Sequence, residues 1–104
     1  MSLINLNQTI PNLNGDLIND SKGKPYTVKT VLIGALLFNH PKEDINGDEK
    51  SERFILATRI SNTIPVDEDN NPFELKSEEI VKLKHLIGNM YSTMLVGRMY
   101  EILK

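Results

Sequence analysis

The chain has 104 residues, of which 39% are hydrophobic and 25% are charged, with a net charge of −2 and no cysteine. This composition suffices for the core of one domain, and the absence of cysteine excludes a disulfide framework, a thiolate zinc site and a cysteine nucleophile. The slight acidic excess gives no electrostatic reason to approach a phosphate backbone or an anionic membrane, so neither nucleic acid nor membrane is expected as a partner.

The N-terminal residues give an expectation about location. Met1-Ser2-Leu3-Ile4-Asn5 lacks the basic start and apolar core of a secretion signal, and no run of about 18 apolar residues is present to span a bilayer. The lack of cysteine agrees with a reducing compartment. We therefore expect a cytoplasmic protein.

The first predicted element is a β-hairpin over about residues 3–18. Asn14-Gly15 is the preferred pair for a two-residue type I′ turn, because both positions need a positive φ. Pro11 cannot donate to a ladder, so its strand is an edge strand or begins after it. A two-stranded hairpin is marginal alone and must pack on other elements.

Two helices are predicted next, over about residues 27–39 and 49–61. The first has an apolar stripe so wide that little of its circumference is polar, which is typical of a buried central helix, and Thr27 is placed to cap it. The second is amphipathic. We expect Phe54, Ala57 and Ile60 to face inward, with Glu49 and Arg53 paired on the solvated side.

The C-terminal third predicts helices over about residues 77–88 and 91–103. Ser77, followed by two glutamates, is typical of a capped helix start. Gly88-Asn89 could end one helix before another begins, or a single long helix could run through. No internal repeat is evident. The predicted fold class is α+β, in one domain over residues 1–104: an N-terminal β-hairpin packed on a bundle of three to four α-helices.

An acidic segment raises the question of a calcium site. It places oxygen-bearing side chains at the first, third, fifth and twelfth positions of an EF-hand-type loop. These candidate metal ligands are Asp67, Asp69, Asn71 and Glu78. Pro72 stands at the sixth position, where the motif needs a glycine for its sharp turn. A solvated acidic loop leading into a helix is the better interpretation, so no metal and no other cofactor is expected.

The residues give little support for catalysis. His40 and His85 are the two histidines, and both are interpreted as structural. No Gly-x-Ser-x-Gly turn and no phosphate-binding glycine loop are present in the sequence. We therefore predict no catalytic residue and expect that the protein is not an enzyme.

The last predicted helix is the candidate interaction surface. Methionine adapts its shape to a partner, and tyrosine is enriched at interfaces. The candidate interaction residues are Met90, Tyr91, Met94, Met99 and Tyr100. The alternative is that this helix closes the core, because apolar helical stripes usually face inward.

Several short segments carry a resemblance to a known group of proteins. They are Gly23-Lys24-Pro25-Tyr26-Thr27-Val28, the apolar helix over 31–37, Gly47-Asp48-Glu49-Lys50, Glu78-Glu79-Ile80, Leu86-Ile87-Gly88 and Val96-Gly97, after an N-terminal glycine turn. In this order the chain resembles small uncharacterised proteins of tailed bacteriophages and prophages. The resemblance brings no catalytic residues. It implies a viral context, in which small proteins commonly act by binding others.

These features favour a non-enzymatic phage or prophage interaction protein, such as a virion or tail morphogenesis factor. The expected partner is a phage structural protein or a host protein, and a homo-oligomer is also compatible with the apolar terminal helix. One alternative is a small host-defence inhibitor that binds a basic host enzyme through the acidic stretch 67–71. A calcium-binding or hydrolytic protein is the remaining alternative.

Overall fold

The computed structural model describes residues 2–38 and 44–103. The elements in these ranges are β1 (Ser2–Asn5), α1 (Val28–Leu37), α2 (Gly47–Ser61), β2 (Pro72–Leu75), α3 (Ser77–Gly88) and α4 (Thr93–Ile102). The predicted α+β class is confirmed, since an antiparallel strand pair that includes the N-terminal strand accompanies four packed helices. Within the described ranges, none of these helices has both the length and the apolar character needed to cross a bilayer.

The partner of the N-terminal strand differs from the prediction. β1 pairs antiparallel with β2, in a register that sets Ile4 opposite Phe73 and Leu3 opposite Glu74. Ile4 is buried and Leu3 is exposed, so the alternation of β1 matches that of β2. The hairpin prediction considered only the turn nearest in sequence, whereas an N-terminal strand pairs with whichever segment offers a matching apolar face.

Two turns of the same design follow β1, a repeat that the sequence did not reveal. The side-chain oxygen Oδ1 of Asn12 accepts the amides of Asn14 and Asp16 at 2.8 and 3.1 Å. In the same way, Oδ1 of Asp20 accepts the amides of Lys22 and Lys24 at 2.9 and 3.0 Å. Each turn closes with a glycine at positive φ, 87° at Gly15 and 81° at Gly23.

The first of these turns lies at the predicted position but is not type I′. Among the described residues a positive φ occurs only at Gly15 and Gly23, so Asn14 does not adopt one. The amide of Gly15 donates to the carbonyl of Asn12 at 3.1 Å, which describes a three-residue loop ending in a left-handed glycine. The flanking pairs are isolated bridges, among them Pro11 with Leu17, and not a regular hairpin.

Of the two predicted caps, Thr27 is confirmed and Ser77 is wrong by one residue. Oγ1 of Thr27 accepts the amide of Thr30 at 3.2 Å and caps α1, as predicted. Helix α2 begins earlier than predicted, at Gly47, because Asn46 caps it. Lys76, not Ser77, is the N-cap residue of α3, and the carboxylate of Glu79 accepts its amide at 2.9 Å.

The C-terminal region forms two helices, which decides between the two alternatives. α3 ends at Gly88, and α4 begins at Thr93 after Ser92, whose Oγ accepts the amide of Leu95 at 3.4 Å. Helix α1 packs against both α2 and α3, in the central position that its wide apolar stripe predicted. Its buried residues are Val28, Val31, Leu32, Ala35 and Leu36.

The buried face of α2 is rotated from the predicted one. Phe54 is 62% exposed, whereas Arg53 is only 6% exposed. The inward residues are Arg53, Leu56, Ala57 and Ile60, which have the spacing of one helical face. Arg53 can occupy this face because its aliphatic stem packs while its Nε donates to Glu49 Oε1 at 3.1 Å.

Candidate functional site

The outer side of α4 forms a shallow apolar depression with the first turn. Leu95 and Met99 point into the core, and the opposite side of the helix remains at the surface. This depression has a volume of about 510 Å³ and is lined by Leu13, Thr93, Met94, Gly97, Arg98 and Glu101. We call these six residues the α4 face.

Arg98 holds the first turn beside α4. Its Nε donates to the carbonyl of Pro11 and one terminal nitrogen donates to the carbonyl of Asn12, both at 3.1 Å. The other terminal nitrogen lies 3.4 Å from the carboxylate of Glu101. Leu13, at the tip of this turn, is 79% exposed. Leu13 and Arg98 could not be predicted as site residues from the sequence, because nothing local indicates that two segments so distant in the chain are neighbours.

The structure separates the three methionines of the predicted interaction surface. Met94 is half-buried and belongs to the α4 face, and Met90 is exposed in the turn before α4. Met99 is fully buried in the core cluster, so its assignment to an exposed surface was wrong. The helical period explains this outcome, because Met94 and Met99 point about 140° apart when each residue turns the helix by about 100°.

The two tyrosines of that predicted surface use their hydroxyls within the fold. Tyr91 donates to the backbone carbonyl of Val31 in α1 at 3.1 Å, and Tyr100 donates to that of Lys84 in α3 at 2.8 Å. The Tyr91 hydroxyl also lies against Gly34 of α1, and the Tyr100 hydroxyl lies against Gly88 of α3. Glycine permits this close approach because it has no Cβ.

Tyr91 is the more deeply packed of the two. Its ring meets that of Tyr26 edge to face, with centroids 6.0 Å apart. Burial, with a smaller contribution from Tyr26, raises the pKa of Tyr91 to about 12. The hydroxyl therefore stays protonated and continues to donate at any physiological pH. Tyr91 thus belongs to the packing between α1 and the C-terminal region.

The predicted calcium ligands do not form a loop around one point. The carboxylate of Asp67 accepts the amide of Asp69 at 2.8 Å and the side-chain nitrogen of Asn70 at 3.1 Å, and these hydrogen bonds lower its pKa. Asn71 is only 1% exposed, and its amide donates to Asn5 at 2.9 Å. These bonds describe a turn attached to β1.

Strand β2 separates that turn from the fourth predicted ligand. The four extended residues of β2 span about 13 Å, and Glu78 follows them in the first turn of α3. There Glu78 lines a groove between α2 and α3 with Arg59 and Lys82. Across residues 2–38 and 44–103, no group of three or more acidic or histidine side chains is placed to hold a metal ion.

The histidines do not form a site in the described part of the chain. His85 is exposed in the last turn of α3, and its Nε2 lies 3.3 Å from the side-chain nitrogen of Asn89. His40 lies outside the described residues.

Charged side chains on α2 and α3 form ion pairs that join the two helices and stabilise the fold. Lys82 Nζ lies 3.2 Å from both Glu49 and Glu52, and Glu49 also binds Arg53. Partial burial alone would raise the pKa of Glu49, but hydrogen bonds from Arg53 and Lys82 outweigh it and lower that pKa. Burial opposes the charge of Lys82 as well, yet Glu49 and Glu52 raise its pKa.

We expect Glu49→Gln to lower stability at neutral pH by about 0.5–1 kcal/mol, because the pair is partly solvated. The pKa of Glu49 is lower in the folded chain than its unfolded value of about 4.3, so its ionised carboxylate stabilises the fold above that pH. This stabilisation is lost as the pH falls and the carboxylate is protonated. The difference in melting temperature between wild type and variant should therefore shrink from pH 7 to pH 3. Glu74→Gln, at an exposed strand position, is the control and should match wild type throughout. A difference independent of pH would contradict the assignment.

Comparisons with protein-family models, with curated proteins and with solved structures find no match to this chain. The resemblance to phage proteins therefore stays a prediction.

Proposed function

We propose that this protein acts by binding another protein through the α4 face, and not by catalysis. The observation that carries the proposal is Leu13, a large apolar side chain that is 79% exposed at the tip of a turn. It lies beside Met94 and Gly97 in the same depression. Apolar side chains grouped at a concave surface, with a methionine that can adapt its shape, are typical of protein-binding sites.

The hydrogen bonds that hold the turn around Leu13 in place also favour binding. The two hydrogen bonds from Arg98 attach the turn to α4, and Oδ1 of Asn12 holds the turn itself. A partner therefore meets a surface that is already ordered, which lowers the entropy lost on association. Arg98 and Glu101 add a polar rim of both signs that can orient the partner.

The resemblance to phage proteins supports a more specific form of the proposal. In that context the protein works in the cytoplasm of the host cell as a virion or tail morphogenesis factor, and its partner is a phage structural protein. A partner with an apolar helix or loop would fit the α4 face, since the depression is shallow and mainly apolar.

Leu13→Asp should reduce partner capture by about tenfold or more, because it buries a charge without a partner at the contact. The measurement uses tagged chain on a resin, lysate of phage-infected cells, and mass spectrometry of the bound proteins. Leu3→Asp is the matched control: Leu3 is 73% exposed but lies on the outer face of β1. It should capture as wild type does, and circular dichroism should show both variants folded.

Two results would count against this proposal. If Leu13→Asp and wild type bind the same proteins equally, the α4 face is not the binding surface. If capture instead involves a basic host enzyme, weakens with salt and is lost in Asp67→Asn/Glu68→Gln, the host-defence inhibitor is the better explanation. Recovery of a structural phage protein that depends on Leu13 supports the proposal.

A further inference from the structure

We infer that the α4 face binds the α4 face of a second copy of this chain, with the two helices antiparallel across a two-fold axis. This inference rests on the proposed function, since it concerns the same surface: a second copy covers the α4 face of the free chain, and a phage structural protein displaces it. Three observations carry it: the position of Gly97, the charges at the two ends of α4, and the apolar side chains between them.

Gly97 has no evident role inside the monomer. It lies in the middle of α4, where glycine costs helix stability relative to alanine. Among the described residues, nothing lies within 4 Å of the place where a Cβ would stand. This contrasts with Gly34 and Gly88, which each make room for a tyrosine hydroxyl. A glycine on the exposed side of a helix does, however, allow the backbone of another molecule to approach closely.

The two ends of α4 carry features that are complementary between two chains. Glu101 stands in the last turn, where the negative end of the helix dipole repels a carboxylate. Within the chain its carboxylate lies 3.4 Å from Arg98, three residues earlier, and it remains largely exposed. The first turn, beginning at Thr93, has no acidic residue to neutralise the positive end. A second α4 running the opposite way would place each Glu101 beside the positive end of its neighbour.

The spacing along the helix permits this arrangement. Glu101 lies four residues after Gly97 and Thr93 lies four residues before it, so each is about 6 Å from Gly97 along the axis. In an antiparallel pair centred on Gly97, Glu101 of one copy is therefore level with Thr93 of the other. Leu13 and Met94 flank the crossing on both copies, which gives the self-complementary patch that a two-fold interface requires.

Sedimentation velocity of the purified full chain over a wide concentration range tests the inference. Wild type should shift from monomer to dimer as concentration rises. Gly97→Gln should weaken the dimer by about tenfold or more, because the side chain blocks the close approach. Thr93→Asp and Glu101→Lys should each weaken it by a similar factor, through repulsion from Glu101 and from the positive helix end respectively.

The double variant Thr93→Asp/Glu101→Lys should restore dimerisation, because the exchanged charges again face each other between copies. Within one chain the same pair lies eight residues apart, so recovery of the dimer cannot come from a contact inside the monomer. Thermal unfolding at low concentration should show that Thr93→Asp is at least as stable as wild type, since it places an acid at the positive helix end.

A chain that sediments as monomer at every concentration would overturn the inference, as would a dimer that is unaffected by the substitutions in α4. Either result leaves the proposed function standing if Leu13→Asp still abolishes capture of a different protein. If Leu13→Asp changes neither dimerisation nor capture, both proposals fail.

Discussion

Met99→Ala should lower the free energy of unfolding by about 2–5 kcal/mol, whereas Met94→Ala on the same helix should change it by less than about 1 kcal/mol. The reason is burial: Met99 is fully enclosed in the core, and Met94 lies half-buried on the α4 face. Removing a buried thioether side chain loses its transfer free energy and leaves a cavity, which the packed neighbours fill only in part. At the surface, water occupies the space.

Urea unfolding of the two variants, followed by circular dichroism at low protein concentration, measures this difference. The helix-forming tendency of methionine and alanine is similar, so local helix stability changes little in either variant. The opposite ranking, with Met94→Ala the more damaging, would mean that α4 presents its other side to the core. Met94→Ala is also expected to weaken binding at the α4 face, which Met99→Ala cannot do by direct contact.

Gly34→Ala should destabilise the protein by about 2 kcal/mol, although alanine normally favours a helix interior over glycine by about 1 kcal/mol. A Cβ at position 34 would lie inside van der Waals contact with the hydroxyl oxygen of Tyr91. That hydroxyl cannot move freely, because it donates to Val31 and its ring packs edge to face on Tyr26. The new methyl group must therefore displace the ring and break the hydrogen bond.

Tyr91→Phe should restore stability to Gly34→Ala, because it removes the hydroxyl with which the new Cβ clashes. The next ring atom of Tyr91, Cζ, lies 3.8 Å from the place of the Cβ, an ordinary contact distance. Tyr91→Phe alone loses one hydrogen bond, about 1 kcal/mol. In the double variant the clash is gone, so its melting temperature should exceed that of Gly34→Ala by several degrees.

Gly97→Ala is the control for the Gly34→Ala and Tyr91→Phe variants, and it is measured at a concentration where the chain is monomeric. No described atom lies within 4 Å of a Cβ there, so it should show the usual gain of about 1 kcal/mol from alanine in a helix. A double variant no more stable than Gly34→Ala would exclude the hydroxyl as the cause of the loss.

Glycines and tyrosines act together at two helix contacts of this fold. Tyr91 over Gly34 joins the turn after α3 to α1, and Tyr100 over Gly88 joins α4 to the end of α3. In both, the phenol donates to a carbonyl about one helical turn before the glycine, three residues before Gly34 and four residues before Gly88. The aromatic residues that suggested an interface in the sequence therefore fix the position of α4, and so of the α4 face.

Features that depend on neighbouring residues could be predicted from the sequence alone. The cap at Thr27 and the turn at Asn14-Gly15 follow from hydrogen bonds over a few residues, and both lie where they were predicted. The apolar stripe of α1 also predicted its central place, because a helix that is apolar on most sides has no favourable solvated face. These features are set by short-range geometry and by the period of the helix.

Only the tertiary structure decided features that depend on distant residues. The pairing of β1 with β2, the inward position of Arg53 and the placing of Leu13 beside α4 each require a partner far away in the chain. Such contacts are chosen by total burial and by the satisfaction of polar groups across the fold, for which local patterns hold no information. The sequence could name residue types on the last helix, but the direction of each side chain, and with it the α4 face, came from how that helix packs on α3.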